Sequence, residues 1–173
     1  MKRRRALTCL GLGLGSASIR SGAQALPVGP TPRAPARGDL VSWPLVHRLD
    51  GRVVEAPAAS GQAAVLVFFS TTCIYCLRHN PRMQKLADAG VGLPLQVLGV
   101  AHAQHADDVR RHLARHGLRL AVTLDERPLH QALSPRHITP LTVVLDRAGR
   151  LQEVIPGEMT EDDVMGLLRW ART

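Results

Sequence analysis

Short, uninterrupted apolar runs alternate along this chain with longer stretches whose apolar positions recur every three or four residues. "AAVLVFF" (63–69) is apolar throughout and of strand length, the pattern of a central strand buried on both faces. "LQVLGVA" (95–101) repeats that pattern, and "LAVTL" (120–124) predicts a third, shorter strand. Between the first two runs, residues 74–89 predict a helix that Pro81 should kink, because proline lacks the amide hydrogen and its ring crowds the preceding turn. "HADDVRRHLARHG" predicts a second helix, with Asp107 and Asp108 in its first turn, Gly117 at its close, and Val109 and Leu113 as its buried stripe. "ERPLHQAL" reads as a short helical turn. "LTVVLDRAGRLQEVI" predicts a hairpin with strands over 141–145 and 151–155. "TEDDVMGLLRW" predicts a last helix, capped by Thr160, with Val164, Leu167 and Leu168 facing inward. Ahead of these elements, "VSWPLVHRLDGRVVE" carries two apolar runs joined at Asp50-Gly51, which predicts an N-terminal β-hairpin. There is no internal repeat, and the order of strands and helices is that of an α/β layered domain.

Composition changes this picture mainly at the N-terminus. The 173 residues are 45% apolar and 21% charged, ordinary for one globular domain with an appendage. The formal charge of +8 suggests a nucleic-acid partner at first sight. Five of the 22 basic side chains, however, precede residue 26, where there is no acid, and the other 17 face 14 acids for a net of +3. That is a solubility-grade charge, and no nucleic-acid partner is expected. Residues 1–25 read as an export signal: a basic start at Lys2 to Arg5, a Leu/Gly/Ala run too short and glycine-rich to anchor in a bilayer, and Ala23-Gln24-Ala25 before the expected cleavage site. The Arg4-Arg5 pair permits the twin-arginine route as well as the general one. Residues 26–38 are a Pro/Gly-rich linker, and the domain is expected over 39–173.

Export gives the cysteines their meaning. Cys9 leaves with the signal, so the mature chain carries Cys73 and Cys76 into an oxidising compartment, the periplasm of a bacterium. A two-residue spacer closes too small a loop to stabilise a fold, which argues for a reactive pair over a structural staple. A zinc site wants a second ligand pair. His102, His105, His112 and His116 are near one another in sequence, but they flank the buried stripe and read as a solvated helix face, so no metal is expected. Covalent haem is excluded because Leu77 stands where its histidine should be. A peroxidase would use one cysteine with a hydroxyl three residues earlier, as Ser70 stands to Cys73, but the proline of that motif is missing. Thiol–disulfide exchange fits the elements best. A strand feeding a helix places Cys73 at the helix N-terminus, where free amides stabilise a thiolate, with Cys76 one turn on and facing inward.

"VLVFFSTTCIYCLRHNPRMQKL" resembles the active-site region of thioredoxin-like proteins, and most closely the exported TlpA/ResA-like branch. Pro81 matches the helix proline of that family. "HITPLTVVLDRAGRLQEVIPG" matches its second signature, and residues 103–124 match the helix-plus-strand insertion of the branch. The resemblance implies a three-layer thioredoxin-like fold, a central mixed β-sheet flanked by helices. It implies a cis peptide at Thr139-Pro140 opposite the cysteines, with Thr139 and Pro140 binding substrate by strand addition. It implies a protein-disulfide reductase that needs no cofactor beyond the redox-active pair Cys73-Cys76, with electrons from a membrane thiol carrier of the DsbD/CcdA type. A thiol oxidase, a thiol peroxidase and a redox-inert binding module on the same fold are the alternatives. Four departures bear on the redox direction: Thr72 in place of the usual tryptophan, Val67 in place of a buried acid, the unusual spacer Ile74-Tyr75, and His79 where a glutamate is frequent. His79 is expected either to take the proton of Cys76 during release or to pack beside it.

Overall fold

The computed structural model describes residues 33–134 and 136–172. The expected export signal, Cys9 and the first part of the linker lie outside the described residues. Five strands form one mixed sheet in the order β3-β2-β1-β4-β5. β1 (Ala63–Ser70) is central, parallel to β2 (Leu95–His102) on one side and antiparallel to β4 (Leu141–Leu145) on the other. β3 (Ala121–Thr123) extends the sheet parallel to β2, and β5 (Leu151–Pro156) closes the other edge antiparallel to β4.

The alternation of side chains along β1 divides the core in two. Ala63, Val65, Val67 and Phe69 point to the layer that holds Cys76, Met83 and Leu86 of α2 (Ile74–Ala89), together with Val109 of α3 (Ala106–Arg115) and Val164 of α5 (Glu161–Gly166). Ala64, Leu66 and Phe68 point the other way, to Leu129 and Leu133 of α4 (Glu126–Leu133) and to Val41, Val46 and Val54. Burial on both faces is why β1 is apolar without a break.

α2 runs unbroken through Pro81. α5 begins at Thr160, whose hydroxyl accepts the Asp163 amide at 3.2 Å, and passes into a 3₁₀ helix over Leu167–Ala171. A short α1 (Pro57–Ser60) precedes β1; its signals are a proline at the first helical position and Gly61 at φ +67° after the last. The N-terminal hairpin forms its turn at Asp50-Gly51, with Arg48 N–H on the Arg52 carbonyl at 2.8 Å and Val54 N–H on the Val46 carbonyl at 2.9 Å. Its pairing is confined to the bridge His47–Val53, because the chain then turns its bonding groups to β3: Leu49 N–H reaches the Val122 carbonyl at 2.8 Å. Gly38 at the end of the linker bonds to Leu151 at 2.7 Å, so the linker's last residue is already tied to β5.

Candidate active site

β1 ends at Ser70, and a tight connection delivers the chain to α2, with the Cys73 amide on the Ser70 carbonyl at 3.3 Å. Cys73 is the N-cap of α2: its backbone is extended (φ −79°, ψ 116°) and its Sγ accepts the Cys76 amide at 3.2 Å. The sulfur occupies the place a serine or aspartate oxygen takes in an ordinary helix cap. One turn later Cys76 is fully buried, packed in the layer with Val67 and Met83. Both sulfurs are free thiols. The peptide Thr139-Pro140 is cis, and the Cys73 thiol donates to the Thr139 carbonyl at 3.5 Å.

These positions separate the two thiols chemically. Partial burial works against ionising Cys73, but hydrogen bonds from the side chains of Cys76 and Thr139 and from the amides of Cys76 and Tyr75 outweigh it, and its pKa lies below the usual thiol value. Burial, followed by the hydrogen bond and charge of Cys73, pushes Cys76 up to about 12. One sulfur is set to ionise, and its neighbour holds its proton.

Apolar side chains near this pair reach the surface beside polar and charged ones. Ile74 and Tyr75 are more than half exposed and Ile138, beside Thr139, is 44% exposed. Arg78 stacks over the Tyr75 ring at 5.0 Å and makes a two-pronged ion pair with Glu158. Arg82, one turn on, reaches the same carboxylate at 2.6 Å. The hydrogen bonds of Arg78 and Arg82 hold the Glu158 carboxyl down at about 2. The sequence signal for this clasp was the i, i+4 spacing of the two arginines on α2. Their partner is 80 residues away from Arg78 and carries no local cue.

His79 is fully buried. The Met159 amide donates to its Nδ1 at 3.4 Å, so its Nε2 carries the hydrogen and donates to Thr142 Oγ at 3.2 Å. Burial, with the nearby positive charge of Arg82, lowers its pKa to about 4. Both ring nitrogens are therefore engaged, by β4 and by the loop that leads into α5, and the ring is neutral and weakly basic at neutral pH. The Thr72 and Ser70 hydroxyls bond to each other at 3.1 Å.

Of the four histidines read as a solvated face, His102, His105 and His116 are exposed and His112 is not. His112 is 6% exposed, so it belongs to the buried stripe of α3, its ring 5.9 Å from Phe69 and 4.7 Å from His116. The stripe follows Val109 to the residue three positions on, which the sheet covers, while Leu113 is only partly buried. His102 turns instead to Glu126, at 2.7 Å. Among the described residues, the group of His, Cys, Asp and Glu whose ligand atoms approach closely enough for a metal is Glu126, His130 and His137.

Comparison with known proteins places this arrangement. The model of the AhpC/TSA family matches residues 41–154. The thiol-disulfide oxidoreductase ResA of Geobacillus thermodenitrificans is 27% identical over 118 residues, 67% of this chain and 67% of its own. ResA of Halalkalibacterium halodurans is 27% identical over 121 residues, 69% and 68% of the two chains. The solved thiol:disulfide interchange protein of Chlorobium tepidum superposes with a TM-score of 0.68 at 20% identity, covering 83% of this chain and 100% of that one. StoA of Bacillus subtilis gives 0.60 at 18% identity, covering 72% and 93%. The two structures establish the fold. Because the matched segment spans well over half the chain and contains both thiols, the Thr139-Pro140 loop and the strands that position them, the chain belongs to the AhpC/TSA family, on a thioredoxin-like fold.

Proposed function

We propose that this chain reduces disulfides of other proteins outside the cytoplasm, with Cys73 as the attacking sulfur and Cys76 as the resolving one. The chain is a thiol–disulfide oxidoreductase; the direction, the division of roles and the compartment are the reading offered here. The observation that carries the division of roles is the split between two thiols three residues apart, one with its pKa lowered at a helix cap and the other buried and pushed up to about 12; the reducing direction rests on the resemblance to the ResA-like branch. Cys73 thiolate attacks one sulfur of a substrate disulfide, forming a mixed disulfide and releasing one substrate thiolate. Cys76 then loses its proton to water or to the departing thiolate and attacks Cys73 Sγ. The Cys73–Cys76 disulfide forms, the second substrate thiolate leaves, and two electrons have passed to the substrate.

The environment of Cys76 gives the second step its timing. Burial is the first reason its proton is held, and the hydrogen bond and charge of Cys73 are the next. Both Cys73 contributions vanish once Cys73 is bound in the mixed disulfide, so Cys76 becomes easier to ionise when its attack is required. His79, with both nitrogens engaged, acts as a packing and hydrogen-bonding residue behind the site. Thr139 and Pro140 border Cys73 and offer a backbone edge to an extended substrate, with Ile74, Tyr75 and Ile138 as apolar contacts. A membrane thiol carrier would return the disulfide to the dithiol.

Insulin reduction with dithiothreitol as electron source, together with the Cys73–Cys76 potential against glutathione, tests the reading. Turnover with a potential near or below that of thioredoxin, about −270 mV, is expected. A potential near about −120 mV would make the protein an oxidant, no turnover would make it a binding module, and peroxide consumption would make it a peroxidase. N-terminal sequencing of periplasmic material, expected to begin at Leu26, tests the compartment.

A further inference from the structure

On the face of the sheet opposite Cys76, α4 carries Glu126 and His130 at i, i+4, on one side of the helix. His130 is 4% exposed, with its ring centroid 4.2 Å from Phe68 and 4.5 Å from His137. Its Nδ1 lies 3.2 Å from the Ser134 carbonyl, which can only accept, so Nδ1 carries the hydrogen and Nε2 a bare lone pair. That lone pair faces Glu126 Oε1 at 3.4 Å. Glu126 Oε2 accepts from His102 Nδ1 at 2.7 Å, and a ring nitrogen of His137 completes a set whose atoms all lie within 4.8 Å of one another. Two acceptors directed at each other in a half-buried setting need a cation between them, either a proton or a metal ion. The spacing suits the metal: with bonds of about 2.1 Å, two donors of a tetrahedral ion stand about 3.4 Å apart.

We propose that Glu126, His130 and His137 bind one divalent transition-metal ion of the Zn²⁺ class, at a site separate from the thiols. Two imidazoles and a carboxylate suit Zn²⁺, Cu²⁺ or Ni²⁺ better than Ca²⁺ or Mg²⁺, which prefer all-oxygen shells. The outer contacts are those a metal-binding histidine uses: Ser134 fixes the tautomer of His130, and His102 orients the carboxylate. His137 is exposed and opens the site to solvent. It precedes Thr139 by two residues, so a bound ion would tie the segment leading to the Thr139-Pro140 loop to α4.

The test uses the full chain with Cys9→Ser, Cys73→Ser and Cys76→Ser, which removes every thiol and makes the result independent of the exchange chemistry. Calorimetric titration with Zn²⁺ should give one ion per chain at micromolar affinity or tighter, unaffected by excess Mg²⁺. Co²⁺ should give the visible absorption of a tetrahedral nitrogen and oxygen site. His137→Ala and Glu126→Gln should each weaken Zn²⁺ binding by about tenfold or more, whereas His105→Ala and His116→Ala should not change it. His137 is exposed, so its loss reads the site without disturbing the core as His130→Ala would. Binding only at millimolar Zn²⁺, or binding that survives both His137→Ala and Glu126→Gln, would overturn the proposal.

Discussion

Acidifying this protein from pH 7 to pH 4 should cost the fold about 3 kcal/mol through His79 alone. The ring is fully buried and accepts the Met159 amide on Nδ1, so the folded state holds it neutral down to its pKa of about 4. In the unfolded chain the same ring takes a proton near its reference value of about 6.5. Above that value neither state binds the proton, and the group adds no pH dependence. As the pH falls below it the unfolded state binds a proton that the folded state refuses, so stability declines until the folded ring also titrates near 4. A separation of about 2.5 units at 1.36 kcal/mol per unit sets the limit near 3 kcal/mol, with about 2 kcal/mol lost by pH 5.

The assay is urea unfolding of wild type and His79→Gln at several pH values between 7.5 and 4, with a phosphine reductant keeping the thiols reduced. Glutamine retains a donor for Thr142 and an acceptor for Met159 but cannot titrate. His112 and His130, whose pKa values burial also lowers, contribute equally to both proteins and cancel in the difference. Glu158, held down by Arg78 and Arg82, loses its contribution only below its unfolded value of 4.5, under most of the window. Wild type should be the more stable at pH 7.5 and lose that advantage steadily toward pH 4. A difference that stays constant over the window would refute the reasoning, since it would mean that His79 gains its proton equally in both states.

Three further outcomes follow from the same geometry. Cys76→Ala should trap partner proteins as mixed disulfides on Cys73, whereas Cys73→Ala should trap almost none; affinity capture followed by non-reducing electrophoresis reads both. The alkylation rate of Cys73 in the reduced wild type should have its midpoint below the ordinary thiol value of 9.0, because hydrogen bonds from the side chains of Cys76 and Thr139 and from the amides of Cys76 and Tyr75 outweigh its partial burial. Gly99→Ala should destabilise by about 1–3 kcal/mol in urea, since the added methyl would lie 3.0 Å from Val122 and 3.1 Å from Phe69 in the centre of the sheet.

What could be read from the chain was whatever is determined within a few residues. The unbroken run 63–69 is apolar because both faces of β1 are covered, and the pairing of β1 with β2 and β4 bears that out. The bounds of α2 were legible from its spacing, and Cys73 sits at its cap as a strand-to-helix junction requires. The hairpin of β4 and β5 followed from Asp146 to Gly149 between two apolar runs. The N-terminal hairpin forms at Asp50-Gly51 as its turn signal implies, but nothing in residues 41–55 reveals that Leu49 bonds across to Val122.

The site divides along the same line, and the reason is physical. The contrast between Cys73 and Cys76 comes largely from one turn of helix, with free amides at one position and the sheet covering the other, and a cysteine pair after a buried strand was enough to anticipate it. The state of His79 is set by Thr142 and Met159, which stand 63 and 80 residues away and meet it only when β4 and the loop before α5 pack on α2. His112 looked solvated because polar side chains on a helix usually are, yet the sheet covers the third residue after Val109 whatever its chemistry. His130 is likewise buried by packing, with Glu126 one turn before it and His102 brought in from β2, while His137 beside it stays exposed. Polar residues that packing buries acquire their chemistry from tertiary neighbours. His79 is one of them, so the redox behaviour of the thiol pair is expected to depend on the side of α2 that faces the sheet as well as on the exposed pair Ile74-Tyr75.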